Sequence, residues 1–259
     1  MEKIRPAYCA GHWYTDNPQK LTAEINGYLS NIKNENLKVR AVIVPHAGYI
    51  YSGQVAAHSF KQIDRNTKKV IILGTAHRYP LKGTGVMDYE YYDSPLGKVR
   101  VCKDIKNLID EKNVVSIREA DEDEHSIEIE IPFLQMHLED FCIMPLIVGK
   151  IDTDHFSYLL EKYFDENTVL VASVDLSHFH NYNTAVKLDE FSINCILKLN
   201  APDIEEAEID SPFAIMALIK LAKRKNWKTK LLCYKNSGDI TGDKSSVVGY
   251  ASIIFYENE

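Results

Sequence analysis

Six apolar runs rich in β-branched residues alternate along the chain with segments of helical periodicity. The runs predict strands at residues 39–45, 68–74, 141–148, 168–174, 229–235 and 246–256. The segments between them predict helices near residues 53–63, 103–111, 126–139, 153–163, 184–199 and 211–225. Such alternation favours a mostly parallel central sheet with helices on both faces. We therefore expect an α/β protein built as an αβα sandwich.

Local signals refine this picture. Ser211 followed by Pro212 predicts the start of the last helix, with serine as N-cap and proline in the first helical position. The connection SGDITGDKS is short and rich in turn residues, so we expect the last two strands to be antiparallel neighbours in a mixed sheet. The segment DYEYYDSPLGKVRV predicts a peripheral hairpin. No repeat or linker divides the sequence, and we expect residues 1–259 to form a single domain.

Composition narrows the class of protein. The hydrophobic fraction of 45% and charged fraction of 26% are typical of a globular protein in water. A net charge of −7 without a basic stripe argues against a nucleic-acid partner. No apolar run approaches the roughly 20 residues of a membrane span. The first residues, MEKIRPAYCAGHWY, lack the apolar core of a secretion signal, so we expect a cytoplasmic protein.

The five cysteines are dispersed, and no CxxC pair suggests a zinc knuckle. Cys142 and Cys233 lie inside strand-like runs, where a cysteine most simply acts as a small buried hydrophobe. Cys102 and Cys195 suggest the same structural role. The sequence leaves the role of Cys9 open.

Histidines follow three of the predicted strands. His46 and His77 come directly after the runs at 39–45 and 68–74, and Asp175 and His178 follow the run at 168–174. Ligands bind beyond the carboxyl ends of the strands in open α/β sheets, so these side chains could meet at one point. Neutral imidazole suits Fe, Zn and Cu. Asp175 could fix a histidine tautomer, and His178 could be a ligand or a proton-transfer base.

Two further segments carry candidate residues. The acidic run at 121–124 precedes His125 and Ser126, which is typical of a solvated face at a helix start. A nearby carboxylate would favour the protonated form of His125. Asn236 and Asp239 lie at a strand end and could reach the histidines, although residues 236–245 lack the spacing of a phosphate-binding loop. Each motif taken alone is also compatible with a purely structural role.

Four motifs taken in order, PHAGYIYSG, GTAH, DEDEHSIEIEIPFLQ and DLSHF, resemble the Memo family. That family includes the B component of the AmmeMemoRadiSam system. The segments AGHWY and NSGDITGDKSSVVGYAS extend the resemblance over nearly the whole chain. The family is similar in fold to class III extradiol dioxygenases, which are non-haem iron enzymes that open catechol rings. The resemblance thus implies a class III extradiol dioxygenase-like αβα domain with a pocket at the strand ends.

The resemblance also implies roles for single residues. His46 and His77 match the metal-binding histidines of the family. Asp175, His178 and His125 match its other pocket residues, with His178 where the dioxygenases keep a catalytic base.

One position departs from the family pattern. In animal members a cysteine near the C-terminus completes the metal site, but Ile240 stands there in this chain and cannot bind a metal. We predict that Asp239 replaces it and restores a two-histidine, one-carboxylate triad.

These features predict a metal-dependent, dioxygenase-like oxidoreductase that acts on a small molecule. Fe(II) is the expected metal, with Cu or Zn as alternatives. A second hypothesis is a non-catalytic binding or scaffold protein with a vestigial pocket, in which the aromatic segments 49–51 and 89–92 line a peptide groove. A third, suggested by the name of the system, is an accessory partner of a radical-SAM protein. Retention of iron by the histidines would favour the first hypothesis.

Overall fold

The structure is a computed structural model that describes residues 2–109, 111–116 and 124–258. Within these residues the elements run in the order β1 (Ile4–Arg5), α1 (Pro18–Ser30), β2 (Val39–Val44), α2 (Tyr49–Phe60), β3 (Lys69–Thr75), β4 (Thr84–Val86), β5 (Tyr91–Tyr92), β6 (Val99–Val101), α3 (Ile105–Leu108), β7 (Val114–Ser116), α4 (Ile131–His137), β8 (Cys142–Val148), α5 (Thr153–Lys162), β9 (Thr168–Ser173), β10 (His178–His180), α6 (Tyr182–Leu197), α7 (Pro212–Arg224), β11 (Lys228–Asn236), α8 (Ser237–Thr241) and β12 (Val247–Tyr256). Short 3-10 turns precede α4 and α7, at Glu128–Glu130 and Pro202–Glu205. Over the same residues, no helix has the length and apolar character to span a membrane.

All of these strands belong to one mixed sheet with a parallel centre. The main path runs β1-β5-β6-β8-β3-β9-β2-β12-β10, with β11 beside β12 and with β4 joining β7 to β8. Strands β8, β3, β9 and β2 are parallel to their neighbours within this central group. The register pairs Val44 with Ser173 and Leu73 with Ala172, so β2, β3 and β9 end at nearly the same level. The residues that follow these three strands are thereby brought to one edge of the sheet.

The centre of the sheet is covered on both faces. Every residue of β2 and β9 is buried, which requires packed layers above and below because successive side chains point to opposite faces. Helices α1, α2 and α4 pack against one another, and α5 packs against α7. The predicted α/β class and the mixed sheet are confirmed, as is the antiparallel pairing of the last two strands.

Three predicted helices differ in their bounds. Helix α2 begins at Tyr49 instead of residue 53, because Gly48 ends the preceding turn and the Tyr49 amide donates to the carbonyl of Trp13 at 2.9 Å. The helix predicted at 103–111 is helical only over Ile105–Leu108 in the described residues. The helix predicted at 126–139 is divided into the 3-10 turn and α4. At α7, Ser211 occupies the N-cap position but its side chain makes no capping hydrogen bond.

Two helices were not predicted, although the sequence carries signals for both. In α1, the side chain of Asn17 caps the helix by accepting from the Lys20 amide at 2.9 Å, and buried residues recur every fourth position. In α8, Asn236 and Asp239 form a capping box, and Gly242 ends the helix with φ of 82°. The segment predicted as a plain turn is therefore a one-turn helix with both ends capped.

Cys102 and Cys142 form a disulfide between the end of β6 and the start of β8. The expectation of unpaired buried cysteines fails for this pair, because β6 pairs in parallel with β8 and sets Arg100 opposite Cys142. Sequence spacing gave no sign of the bond, since the two residues are 40 positions apart. Cys9, Cys195 and Cys233 are free.

Reduction of this disulfide is expected to lower the free energy of unfolding by about 4 kcal/mol, since a bridge closing a loop of that length restricts the unfolded chain by about that amount. Urea unfolding with and without dithiothreitol measures the change. The Cys102→Ser variant should show the same loss and no further response to reductant, whereas Cys233→Ser should respond like the wild type. A wild-type protein that is indifferent to reductant would contradict the bond.

Candidate metal centre

Two imidazoles meet at the carboxyl edge of the sheet. His46 follows β2 and is 2% exposed, and His77 follows β3 and is partly exposed. Their ring centroids are 5.1 Å apart, and the ring planes are nearly perpendicular at 86°. The aligned ends of β2 and β3 produce this approach, as the sequence predicts.

The Nδ1 atom of each ring is held by a neighbouring side chain. His46 Nδ1 lies 3.0 Å from Ser173 Oγ, and Ser173 donates its own proton to Glu130 Oε1 at 2.8 Å. His77 Nδ1 lies 2.9 Å from Glu124 Oε1, and the other oxygen of Glu124 accepts the His77 amide at 3.1 Å. Partners of this kind fix the orientation of a ring and direct its Nε2 atom.

Both Nε2 atoms face the same carboxylate, that of Asp210. His46 Nε2 is 2.8 Å and His77 Nε2 is 3.5 Å from Asp210 Oδ2. The Asp210 side chain is 9% exposed and lies two residues before α7. Sequence reasoning missed Asp210, because it follows no strand and belongs to none of the recognised motifs.

A third histidine, His125, completes the cluster. Its ring stacks on Trp13 at 4.1 Å and on His77 at 4.6 Å between centroids. One ligand atom from each of His46, His77 and His125 lies within 4.8 Å of the other two. The Nδ1 atom of His125 is buried without a hydrogen-bond partner, which is unusual for a buried polar atom.

Glycine at position 74 allows the His125 segment to come this close to β3. A Cβ atom at Gly74 would lie 2.6 Å from the Ile127 side chain and 2.8 Å from Ser126 Oγ. The same contact lets Ser126 Oγ accept the Thr75 amide at 2.9 Å. A larger residue at Gly74 would force Ser126 and Ile127, the two residues after His125, to shift.

The carboxylates control the charge of the cluster. Burial alone lowers the pKa of His46, but the Asp210 and Asp175 carboxylates outweigh burial and raise it to about 10. Burial likewise lowers the pKa of His77, while hydrogen bonds to Asp210 and Glu124 raise it to about 9. Burial and the nearby His46 lower the pKa of His125 to about 3. Without a metal, His46 and His77 are therefore cationic at neutral pH and His125 is neutral.

Asp210 is the anionic partner of these cations. Burial would raise the pKa of Asp210, but His46 and His77 hold it well below the usual range of an aspartate. A divalent cation at this point would replace the imidazole protons and retain the favourable interaction with the carboxylate.

The other predicted site residues lie around the cluster or away from it. Asp175 Oδ1 accepts the His46 amide at 2.9 Å, so Asp175 positions the His46 backbone. His178 is half-buried at the start of β10, where its amide donates to Glu208 at 3.3 Å. Asp239 is exposed; it caps α8 and accepts from the Tyr182 hydroxyl at 2.9 Å. The structure therefore brings His46, His77, His125 and Asp175 together and leaves Asp239 in a capping role.

The described acidic residues before α4 are buried, although the sequence around them suggests a solvated face. Glu124, Glu128 and Glu130 are each at most 1% exposed. Residues 121–123 of the same run lie outside the described part of the chain. The buried acids accept hydrogen bonds from the site and from the N-terminal segment, which is a function that composition alone does not reveal.

The aligned strand ends and the buried histidine–carboxylate cluster define an α/β protein with a candidate metal centre at one edge of its sheet. The chain belongs to the Memo family, since the profile of Memo-like proteins matches residues 5–254. It is similar to a MEMO1 family protein of Desulfurococcus amylolyticus, with 32% identity over 98% of this chain and 99% of the relative. A MEMO1 family protein of Methanocaldococcus jannaschii is 33% identical over the same shares. The human Protein MEMO1 is 34% identical over 68% of this chain and 63% of the relative.

Proposed function

We propose that this chain is a non-haem iron oxidoreductase of the dioxygenase type, in which His46 and His77 bind Fe(II) through Nε2 and the substrate is a small molecule. The observation that carries the proposal is the fixed orientation of both rings. Their Nδ1 atoms are held by Ser173 and Glu124, so both Nε2 atoms are directed to one buried point. Fold kinship with the extradiol dioxygenases, implied by the resemblance of the motifs, supports this class of chemistry.

The donor set fits a divalent transition metal. Imidazole nitrogens surrounded by carboxylates suit Fe. The Nδ1 atom of His125 makes no hydrogen bond, although it lies 3.4 Å from Glu124 Oε1. Zn and Cu also bind imidazole, and the choice of iron rests on the dioxygenase-like family pattern. Bound Fe(II) would supply the activation of O₂ and substrate.

The protein residues would supply positioning and proton transfer. Asp175 fixes the backbone of His46, and Glu124 fixes the ring of His77. His178 takes a proton from a substrate hydroxyl in the proposed reaction. His125 is neutral and stacks beside His77, where it can hydrogen-bond the substrate; its lowered pKa makes it a weaker proton acceptor than an ordinary imidazole.

The alternative of an exposed peptide groove receives little support from the aromatic segments. Tyr49, Tyr89 and Tyr92 are buried, and the Tyr49 hydroxyl donates to the Ile129 carbonyl at 2.8 Å. In the first segment, Ile50 and Tyr51 are exposed, at 71% and 40%.

Anaerobic reconstitution with Fe(II) tests the proposal. After desalting, the wild type is expected to retain about one iron per chain and to consume O₂ when mixed with a panel of small aromatic diols. His178→Gln should retain iron and lose O₂ consumption, because it removes the base and leaves the ligands intact. A wild-type protein that retains no iron, or O₂ uptake that is the same in His178→Gln, would contradict the proposal.

A further inference from the structure

We infer that Asp210 is the third protein ligand of the metal and completes a two-histidine, one-carboxylate site with His46 and His77. The inference rests on the proposed function, since it concerns the same centre. It differs from the sequence prediction, which gives this role to Asp239.

The distances around Asp210 suit atoms that share one ion. Nitrogen and oxygen ligands lie about 2.0–2.2 Å from a transition metal, so two neighbouring ligand atoms lie about 3.0–3.5 Å from each other. Asp210 Oδ2 is 2.8 Å from Nε2 of His46 and 3.5 Å from Nε2 of His77. An ion could therefore enter between these three atoms with small side-chain movements.

Asp210 is held in this position by its own contacts. Thr75 Oγ1 donates to Oδ1 at 3.4 Å, and the Asp175 amide donates to Oδ2 at 3.3 Å. Thr75 ends β3 and Asp175 follows β9, so the carboxylate is attached to the same strand ends that position the two histidines. Contacts of this kind hold a metal ligand in position before the ion binds.

Ring geometry favours Asp210 over His125 as the third ligand. A nitrogen lone pair lies in the plane of its ring, so an ion bound by two imidazoles must lie close to both ring planes. The rings of His46 and His77 are at 86°, and the Nε2 atoms of both rings face the same oxygen of Asp210. The rings of His77 and His125 are stacked at 20°, so an ion in the plane of one lies well outside the plane of the other. His125 is therefore poorly placed to bind the ion that His46 and His77 share.

The Asp239 carboxylate is already occupied by other contacts. Its carboxylate is engaged by the Asn236 amide at 3.0 Å and by the Tyr182 hydroxyl at 2.9 Å. Moving it to the histidines would break the capping box of α8.

Co(II) binding to the metal-free protein, followed by its visible absorption, distinguishes the three candidates. Asp210→Asn, which keeps the size of the side chain, is expected to raise the Kd for Co(II) by at least about 100-fold, because losing an outer-shell partner alone costs about 10–100-fold. Asp239→Asn should stay within about threefold of the wild type, and His125→Gln within about tenfold. Unchanged affinity in Asp210→Asn, or a loss as large in either comparison variant, would overturn the inference.

X-ray absorption of the Co(II)-loaded wild type gives an answer that does not depend on the folding of any variant. Two imidazoles with additional oxygen ligands are expected, and three imidazoles would overturn the role of Asp210. If the wild type binds no Co(II) or Fe(II), the proposed metal function itself fails together with this inference. If it binds metal normally and only the Asp210 results disagree, the proposed function survives and the ligand assignment does not.

Discussion

Replacing His46 with alanine is expected to lower the affinity for Fe(II) by at least about 100-fold, with little iron retained after desalting. His46 is the most buried of the three clustered histidines and the one whose Nε2 lies closest to Asp210. Water that enters the vacated space can replace one ligand atom but cannot reproduce an imidazole fixed by Ser173. Losing a positioning partner alone costs about 10–100-fold, so losing the ligand should cost at least the upper end of that range.

Iron is measured anaerobically, by competition with a coloured chelator, in the wild type and in each variant. His77→Ala provides a second test at a less buried position, where folding is less sensitive to truncation. His58→Gln is the matched control, because His58 lies in the last turn of α2 and outside the cluster. Wild-type affinity in both His46→Ala and His77→Ala would contradict the proposed centre.

Glu128 is the residue whose substitution is expected to affect stability most. It is fully buried and forms an ion pair with Arg5, which is also fully buried. Its carboxylate also accepts the Tyr8 amide at 3.0 Å, the Cys9 amide at 2.7 Å and the Tyr14 hydroxyl at 2.7 Å. One side chain thus attaches the N-terminal segment to the turn that precedes α4.

Glu128→Gln is expected to lower the free energy of unfolding by about 3–5 kcal/mol, because it removes the negative charge that is paired with the buried Arg5 cation. The effect should extend to the metal centre, since Trp13 belongs to the attached segment and stacks on His125. Urea unfolding followed by circular dichroism measures the loss of stability. The fluorescence of Trp13 reports whether the N-terminal segment stays attached. Glu2→Gln removes one partner of an exposed ion pair and should leave the transition almost unchanged. A change of less than about 1 kcal/mol in Glu128→Gln would show that the contacts of this carboxylate contribute little to the stability of the protein.

Much of the sheet and part of the centre follow from the sequence. The apolar runs define β2, β3, β8 and β9 within one or two residues, because buried parallel strands have few polar positions. The same runs place His46 and His77 at their ends, and parallel pairing brings the two rings together. This part of the site depends only on strand order and register.

The remaining site residues depend on tertiary contacts that have no local signal. Asp210 lies in a connection before α7, and only the packing of that connection against β3 and β9 brings its carboxylate to the histidines. Glu124 belongs to an acidic run that is typical of a solvated surface, yet its side chain is buried against His77. Asp239 is the reverse case: its strand-end position predicts a ligand, but the capping box holds its carboxylate. Local hydrogen bonding competed with the predicted role.

The most direct test of the centre is a crystal structure of the protein loaded anaerobically with Fe(II), with diffraction data collected on both sides of the iron absorption edge. A single anomalous peak is expected about 2.0–2.2 Å from Nε2 of His46 and of His77, with Asp210 Oδ2 at a similar distance. The absence of a peak between these atoms, with both rings still in direct contact with Asp210 in the presence of iron, would contradict the proposed metal centre.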